Sequence, residues 1–350
     1  MHRTPPIKSY FSPSLMESEK TLMFERGLRY VGHRLMVPKL NDYTVPSALN
    51  ERYALFNCGD RYNIVSNVCT HRQSRLLTGS GRTKNIVCKL HCWSFSPDGT
   101  LRKAPYFTGE GRRNLTSRTL TDWNGLLFDG RAPDLDLKEA GIDGLVNFEG
   151  YTFADSEVTT YNYNWKSFSE IYLDDYHVFA IHPGLRRYID LNDVSWKCGR
   201  DYSIQYAGLT RTIDRPGSKA FAPWHASLKA RYGDKLPRYG ALWMYLYPNI
   251  MIEWYPGLLL ISTIQPTAPQ QCVHHAEYYY DAALHASDPE YFAVARRWLD
   301  ELAEEDAEAC RLQSRGRRAL YLSGEEETGA IHPTLETGVG ELYDFLCDAY

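Results

Sequence analysis

Cys69-Thr70-His71 and Cys88-Lys89-Leu90-His91 stand sixteen residues apart, and the rest of the chain is read outward from them. Two thiolates and two imidazoles at this spacing form a metal-site pattern. Paired Cys thiolates hold one iron of a two-iron, two-sulfide cluster while two neutral His rings hold the other, and exchanging anionic sulfur for neutral nitrogen raises the reduction potential. Zinc is the open alternative, because a Cys₂His₂ tetrahedron also satisfies that ion. Zinc-finger spacing, however, usually places Cys with Cys and His with His.

The 350 residues leave room for about two domains and a substantial core, and a hydrophobic fraction of 43% with 23% charged residues is ordinary for a globular protein. A formal charge of −4 gives no reason to expect nucleic acid or a membrane surface as partner. Met1-His2-Arg3-Thr4-Pro5-Pro6 has no long apolar run behind it, so no signal peptide is expected. The most apolar segment, 257–264, is too short to span a bilayer. Eight Cys in a chain of this length do not make a disulfide framework; a cytoplasmic protein with reduced thiols is expected.

Residues 15–33 read as a short amphipathic helix, and 39–129 as β-rich runs broken by turn residues, among them 53–56, 62–65, 85–88 and 125–128. Both Cys/His pairs then lie on adjacent loops of a small antiparallel β domain. Residues 130–144 form the connection. Beyond it, strands are expected at 151–163, 202–213, within 240–264 and at 272–280, with helical spacing over 165–181. Residues 289–315 make a long helix that Asp288 can cap, with Phe292, Ala295, Leu299, Leu302 and Ala309 near one face.

A cluster alone only stores and passes electrons. A catalytic metal needs further ligands, and Asp174-Asp175-Tyr176-His177, followed five residues later by His182-Pro183-Gly184, offers them. Both rings face one metal only across a helix end or turn, and Pro183 and Gly184 are suitable terminators. His225 reads as a structural residue. His274 and His275, adjacent in a strand, point to opposite faces and do not form a joint site. Trp243, Tyr245, Tyr247, Trp254 and Tyr255 are candidate cavity walls, although alternation turns only half of them one way.

The segments Val68–Arg72, Cys88–Phe95 and Asp98–Leu101 closely resemble the cluster loops of the Rieske non-haem iron oxygenases, and Asn164-Trp165-Lys166 through His182-Pro183 resembles their mononuclear-iron motif. One departure stands out: the family usually has Pro-Tyr or Pro-Phe between the second Cys and His, and often Gly after it, where this chain has Lys89, Leu90 and Cys92. The resemblance implies an α+β chain. An N-terminal Rieske antiparallel β domain, residues 1–144 with a cluster core at about 39–130, is followed by a helix-grip catalytic domain, 145–350, whose twisted antiparallel sheet wraps a long C-terminal helix.

It further implies that Cys69, His71, Cys88 and His91 hold the [2Fe–2S] cluster and that His177 and His182 hold Fe(II). A carboxylate from the long helix completes the set, Asp306 being preferred to Glu305 because it shares a stripe with Trp298, Leu302 and Cys310. Asp174 would join the iron site to a Rieske His of a neighbouring subunit, with Asp175 facing solvent, and the subunits would close a head-to-tail homotrimer. The implied activity is that of a terminal oxygenase, fed by NAD(P)H through a separate reductase, with or without a ferredoxin. It uses O₂ to hydroxylate or dealkylate a small organic substrate, a quaternary amine or an aromatic compound. Ring cis-dihydroxylation is the alternative within the class, and a non-catalytic Rieske electron carrier the alternative outside it.

Overall fold

The structure, a computed structural model, describes residues 2–49, 51–109, 111, 113–210 and 213–348. Two compact units emerge, one covering 28–133 and the other combining 2–27 with 134 onward. This corrects the boundary expected at 144: the N-terminal segment belongs with the second unit. The reason is a set of buried polar groups that find partners there. Tyr10 donates its hydroxyl to Glu170 Oε1, and Lys166 Nζ meets Glu19 Oε1 at 2.5 Å with both side chains wholly buried. Residues 15–33 are correspondingly not one helix, because Pro13–Glu19 passes into a wider turn at Lys20–Glu25 and the chain then extends as the strand Tyr30–His33.

The first unit is the expected antiparallel β domain. Five strands pair in the order Ser80–Arg82, Asp42–Thr44, Tyr53–Asn57, Tyr62–Ser66, Ser117–Thr119, and a small sheet of Ile86–Val87, Ser94–Phe95 and Leu101–Lys103 carries the second Cys/His loop. Alternation in Tyr53–Asn57 and Tyr62–Ser66 turns Ala54, Phe56 and Val65 onto one core with Cys69, Cys88 and Trp93, and Leu55 and Ile64 onto another with Val31 and Leu127.

The second unit is a seven-stranded antiparallel sheet: β1 (Tyr151–Tyr161), β2 (Ile189–Gly199), β3 (Tyr202–Leu209), β4 (Tyr239–Leu246), β5 (Ile250–Tyr255), β6 (Leu258–Ala268) and β7 (Gln271–Asp281), in the order β1-β7-β6-β5-β4-β3-β2. Four of its helices position the site: α1 (Trp165–Tyr172), α2 (Val178–Ile181), α3 (Phe221–Tyr232) and α4 (Glu290–Ser323). Trp298, Leu302 and Phe292 of α4 bury among Trp224, Tyr255 and Leu258, so the long helix lies against the sheet as a helix-grip arrangement requires.

Several local expectations shift. The 165–181 stretch is two helices, because Leu173-Asp174-Asp175 breaks α1 before α2 begins. The expected strand to 213 ends at Leu209, and 211–212 lie outside the described residues. α4 runs on to Ser323 and starts from Pro289 with no side-chain cap, so Asp288 does not serve as one. Strand β2, α3 and a C-terminal helix, Thr337–Asp348, were not anticipated. β2 has mixed burial at the sheet edge, which hides its period from a pattern search.

Candidate metal centres

The two Cys/His loops of the β unit have the same backbone design. The Gln73 amide donates to Cys69 O (3.0 Å) and the Cys69 amide to Ser74 O (2.9 Å); the Cys92 amide donates to Cys88 O (2.9 Å) and the Cys88 amide to Trp93 O (2.8 Å). In each loop the residue four after the Cys is left-handed, Gln73 at φ +53° and Cys92 at φ +57°. This duplicated turn drives both sulfurs inward, so that Cys69 and Cys88 are each 1% exposed. The rings of His71 and His91 meet with centroids 4.6 Å apart, and Trp93 stacks on His71.

The donor atoms fit a cluster. Burial raises both thiols, but the amides of Leu90 and His91 donate to the Cys88 sulfur and bring it below the ordinary thiol value, as a thiolate ligand requires. Nδ1 of His71 is buried with no hydrogen-bond partner, an atom that a metal would satisfy. The Cys92 side chain is exposed.

In the second unit α2 is a four-residue turn with His177 at its start and His182 at its end. That brings both rings to one side, with His177 Nε2 and His182 Nε2 3.0 Å apart. Gly184 behind them is packed so closely on Phe221 that a Cβ would lie 2.2 Å from the ring, which holds the turn against α3. Asp306 reaches in from α4, its Oδ1 2.8 Å from His182 Nε2 and 3.3 Å from His177 Nε2. A triangle of donors about 3 Å on a side is one face of an octahedron with bonds of about 2.1 Å, leaving other positions open. One carboxylate and two imidazoles are the donor set of the ferrous facial triad. Although burial opposes the charge, the carboxylates of Asp174 and Asp306 push His177 up to about 10. Asp306 is held well below the usual carboxylate range by both rings despite its burial.

Glu305, the other candidate, has a different partner. Its Oε2 lies 2.6 Å from His182 Nδ1, on the far side of the ring from Asp306, where an acceptor fixes ring orientation and tautomer. Asp174 lies on the corresponding side of His177, its Oδ2 3.4 Å from an Nδ1 that makes no hydrogen bond, while its Oδ1 accepts from the amides of Tyr176 and His177. Asp175 does not face solvent: it is 4% exposed and accepts from Gln205 Nε2. Burial pushes its carboxyl up to about 7.

The triad opens into a cavity of about 480 Å³. Its floor is a single cross-strand row, Gln205, Trp243, Glu253, Leu260 and Tyr278, one from each of β3 to β7. Of the expected aromatic wall only Trp243 and Tyr255 line it, while the Tyr245 hydroxyl is bonded to Ser169 beneath α1 and Trp254 is on the other face of β5. His274 lines the cavity and His275 does not, and His225 is buried with Nδ1 2.9 Å from Ile213 O. The lining carries seven carboxylates and one arginine, Arg311, which is paired with Glu308. Glu253 was missed by motif reading, though a lone acid in the apolar run 250–255 is a visible signal.

Residues 29–116 match the Rieske [2Fe-2S] domain and 148–350 the ring hydroxylating alpha subunit (catalytic domain). The chain is 36% identical over 341 residues to a putrescine 2-hydroxylase of Ralstonia nicotianae, covering 97% of this chain and 93% of that protein. It is 25% identical to a chloroplastic choline monooxygenase of Amaranthus tricolor, over 92% and 73%. Its fold matches a solved structure of a quaternary ammonium Rieske monooxygenase with a TM-score of 0.78 at 18% identity, covering 99% of this chain and 94% of that one. The chain therefore belongs to the ring-hydroxylating alpha-subunit family, as the oxygenase subunit of a Rieske system with a [2Fe–2S] cluster and a mononuclear iron, in a class that draws electrons from a separate reductase and assembles into oligomers.

Proposed function

We propose that this oxygenase hydroxylates an aliphatic carbon of a small cationic amine, a primary diamine of the putrescine type, by inserting one oxygen atom of O₂. The observation that carries the reading is the acidity of the cavity, whose lining has seven carboxylates, Asp306 of the triad among them, and one arginine, itself paired with Glu308. Such a lining repels anions and concentrates cations. The 36% identity to a putrescine 2-hydroxylase over nearly the whole chain supports the same class.

In this reading Cys69, His71, Cys88 and His91 hold the cluster, while His177, His182 and Asp306 hold the iron. When bound, the iron and cluster supply oxygen activation and one-electron transfer. The chain's part is positional. Glu305 and Asp174 orient the two imidazoles through their Nδ1 atoms, and Asp174 is the link by which an electron reaches His177 from His91 of a neighbouring subunit. The assembly is a head-to-tail homotrimer, the electron source an NAD(P)H-dependent reductase, with or without a ferredoxin, and the compartment the cytoplasm.

A quaternary ammonium is the second reading, supported by the rings of Tyr161, Phe168, Trp243 and Tyr278 in the lining, which suit cation–π contact. It has no N–H to offer the cavity carboxylates. Turnover with 1,4-diaminobutane, choline, carnitine and an arene under ¹⁸O₂ separates the cases. One labelled oxygen in a hydroxylated diamine is expected; an arene cis-diol, or turnover of the quaternary amines alone, would overturn the diamine reading.

A further inference from the structure

We infer that Glu253, at the centre of the cavity floor, anchors the substrate's ammonium group, with the Tyr172 hydroxyl as a second acceptor beside it. This rests on the amine reading above and goes further by naming the residue that selects for a primary ammonium. Glu253 sits on β5, the middle strand of the seven, with Trp243 and Leu260 as its cross-strand neighbours.

The other cavity acids have duties. Glu157 accepts from the Tyr278 hydroxyl and pairs with Arg296, which also takes Asp300; Asp175 is bonded to Gln205; Asp174 and Asp306 serve the imidazoles. Glu304 is exposed. Glu253 differs. Its Oε2 accepts from the Tyr255 hydroxyl at 2.8 Å, and that hydroxyl accepts from Trp243 Nε1 at 2.8 Å. This short chain aims the carboxylate, but no cation among the described residues neutralises it. A charged carboxylate set below the surface without a counter-charge is costly, and burial accordingly raises its pKa to about 7.

A second observation points to a missing donor at the same place. The Tyr172 hydroxyl on α1 is buried with no hydrogen-bond partner, feels the Glu253 charge, and its residue lines the same cavity. A primary ammonium has three N–H groups, enough to serve Glu253 and Tyr172 together, whereas a quaternary ammonium has none. Fixing one nitrogen at the floor also sets which carbon of a short chain faces His177, His182 and Asp306.

Calorimetric titration of the anaerobic, iron-loaded holoenzyme with 1,4-diaminobutane tests this. Glu253→Gln is expected to raise Kd about 10- to 100-fold, the loss typical of one charge-assisted hydrogen bond, with iron and sulfide content unchanged. Tyr255→Phe, which frees the carboxylate without removing it, should raise Kd by a smaller factor and serves if Glu253→Gln loses iron. Wild-type binding with both variants within twofold would overturn the anchor while leaving the amine reading intact. A wild type that neither binds nor hydroxylates any amine would overturn the reading and the anchor together.

Discussion

At Cys92 the backbone is left-handed, a conformation that costs a residue with a Cβ about 1 kcal/mol or more relative to glycine. The thiol is exposed. Cys92→Gly is therefore expected to stabilise the β unit by about 1 kcal/mol with an unchanged Rieske absorption and EPR signal; a lost or shifted signal would make Cys92 part of the cluster environment. Glu253 gives a pH signature. Its folded-state pKa of about 7 lies above the ordinary 4.5, so between those values the folded protein holds the proton more tightly than the unfolded chain. Stability from this group therefore falls as pH rises from about 4.5 to about 7 and is level above. Melting of Glu253→Gln against wild type should show an advantage that widens across that window to about 3 kcal/mol. Bound 1,4-diaminobutane should close the gap.

Helix α4 shows how one element serves packing and chemistry. Positions 298, 302, 306 and 310 recur every four residues, and Trp298, Leu302 and Cys310 are buried. The acid at 306 thereby arrives on the stripe that packs against the sheet, facing His177 and His182. Further along, Gln313 and Arg317 bond Glu170 of α1, tying the helix that carries Asp306 to the one that precedes His177. The base of α1 is held by Lys166 and Glu19. Glu19→Gln leaves the ammonium buried without its counter-charge and is expected to cost about 3–5 kcal/mol in thermal or urea unfolding. Glu19→Gln with Lys166→Met should recover most of that loss; no recovery would show that the pair is not what holds α1.

For the whole molecule, the proposed electron route through Asp174 predicts that Asp174→Asn retains three irons per chain and two sulfides, while coupled turnover falls by at least about 10²-fold, of the order seen when a positioning residue near a metal is lost. Undiminished turnover would remove Asp174 from the route. If the route crosses between subunits, a cluster-free subunit and an iron-free subunit can complement each other. Co-expressed His91→Ala and Asp306→Ala chains should regain turnover in mixed oligomers, up to about a quarter of wild-type sites for random head-to-tail assembly, where each alone has none. Absence of any recovery in verified mixed oligomers would place the route within one chain.

The two Cys/His pairs, the His177–His182 spacing and the period of α4 were legible because each is local: a turn or a helical repeat brings those residues together whatever the rest of the chain does. The β unit and the long helix were legible for the same reason. Asp175 and Glu253 were not, since their environments come from strands far away in sequence, Gln205 on β3 and the cross-strand row of the floor. Nor was the attachment of residues 2–27 to the second unit, which depends on buried charges at 19 and 166 finding each other across 147 positions. Ligand identity is a property of side-chain chemistry and short spacing. Which acid sits beside an imidazole and which is left without a counter-charge depends on burial and register, and these exist only once the sheet has closed around the helix.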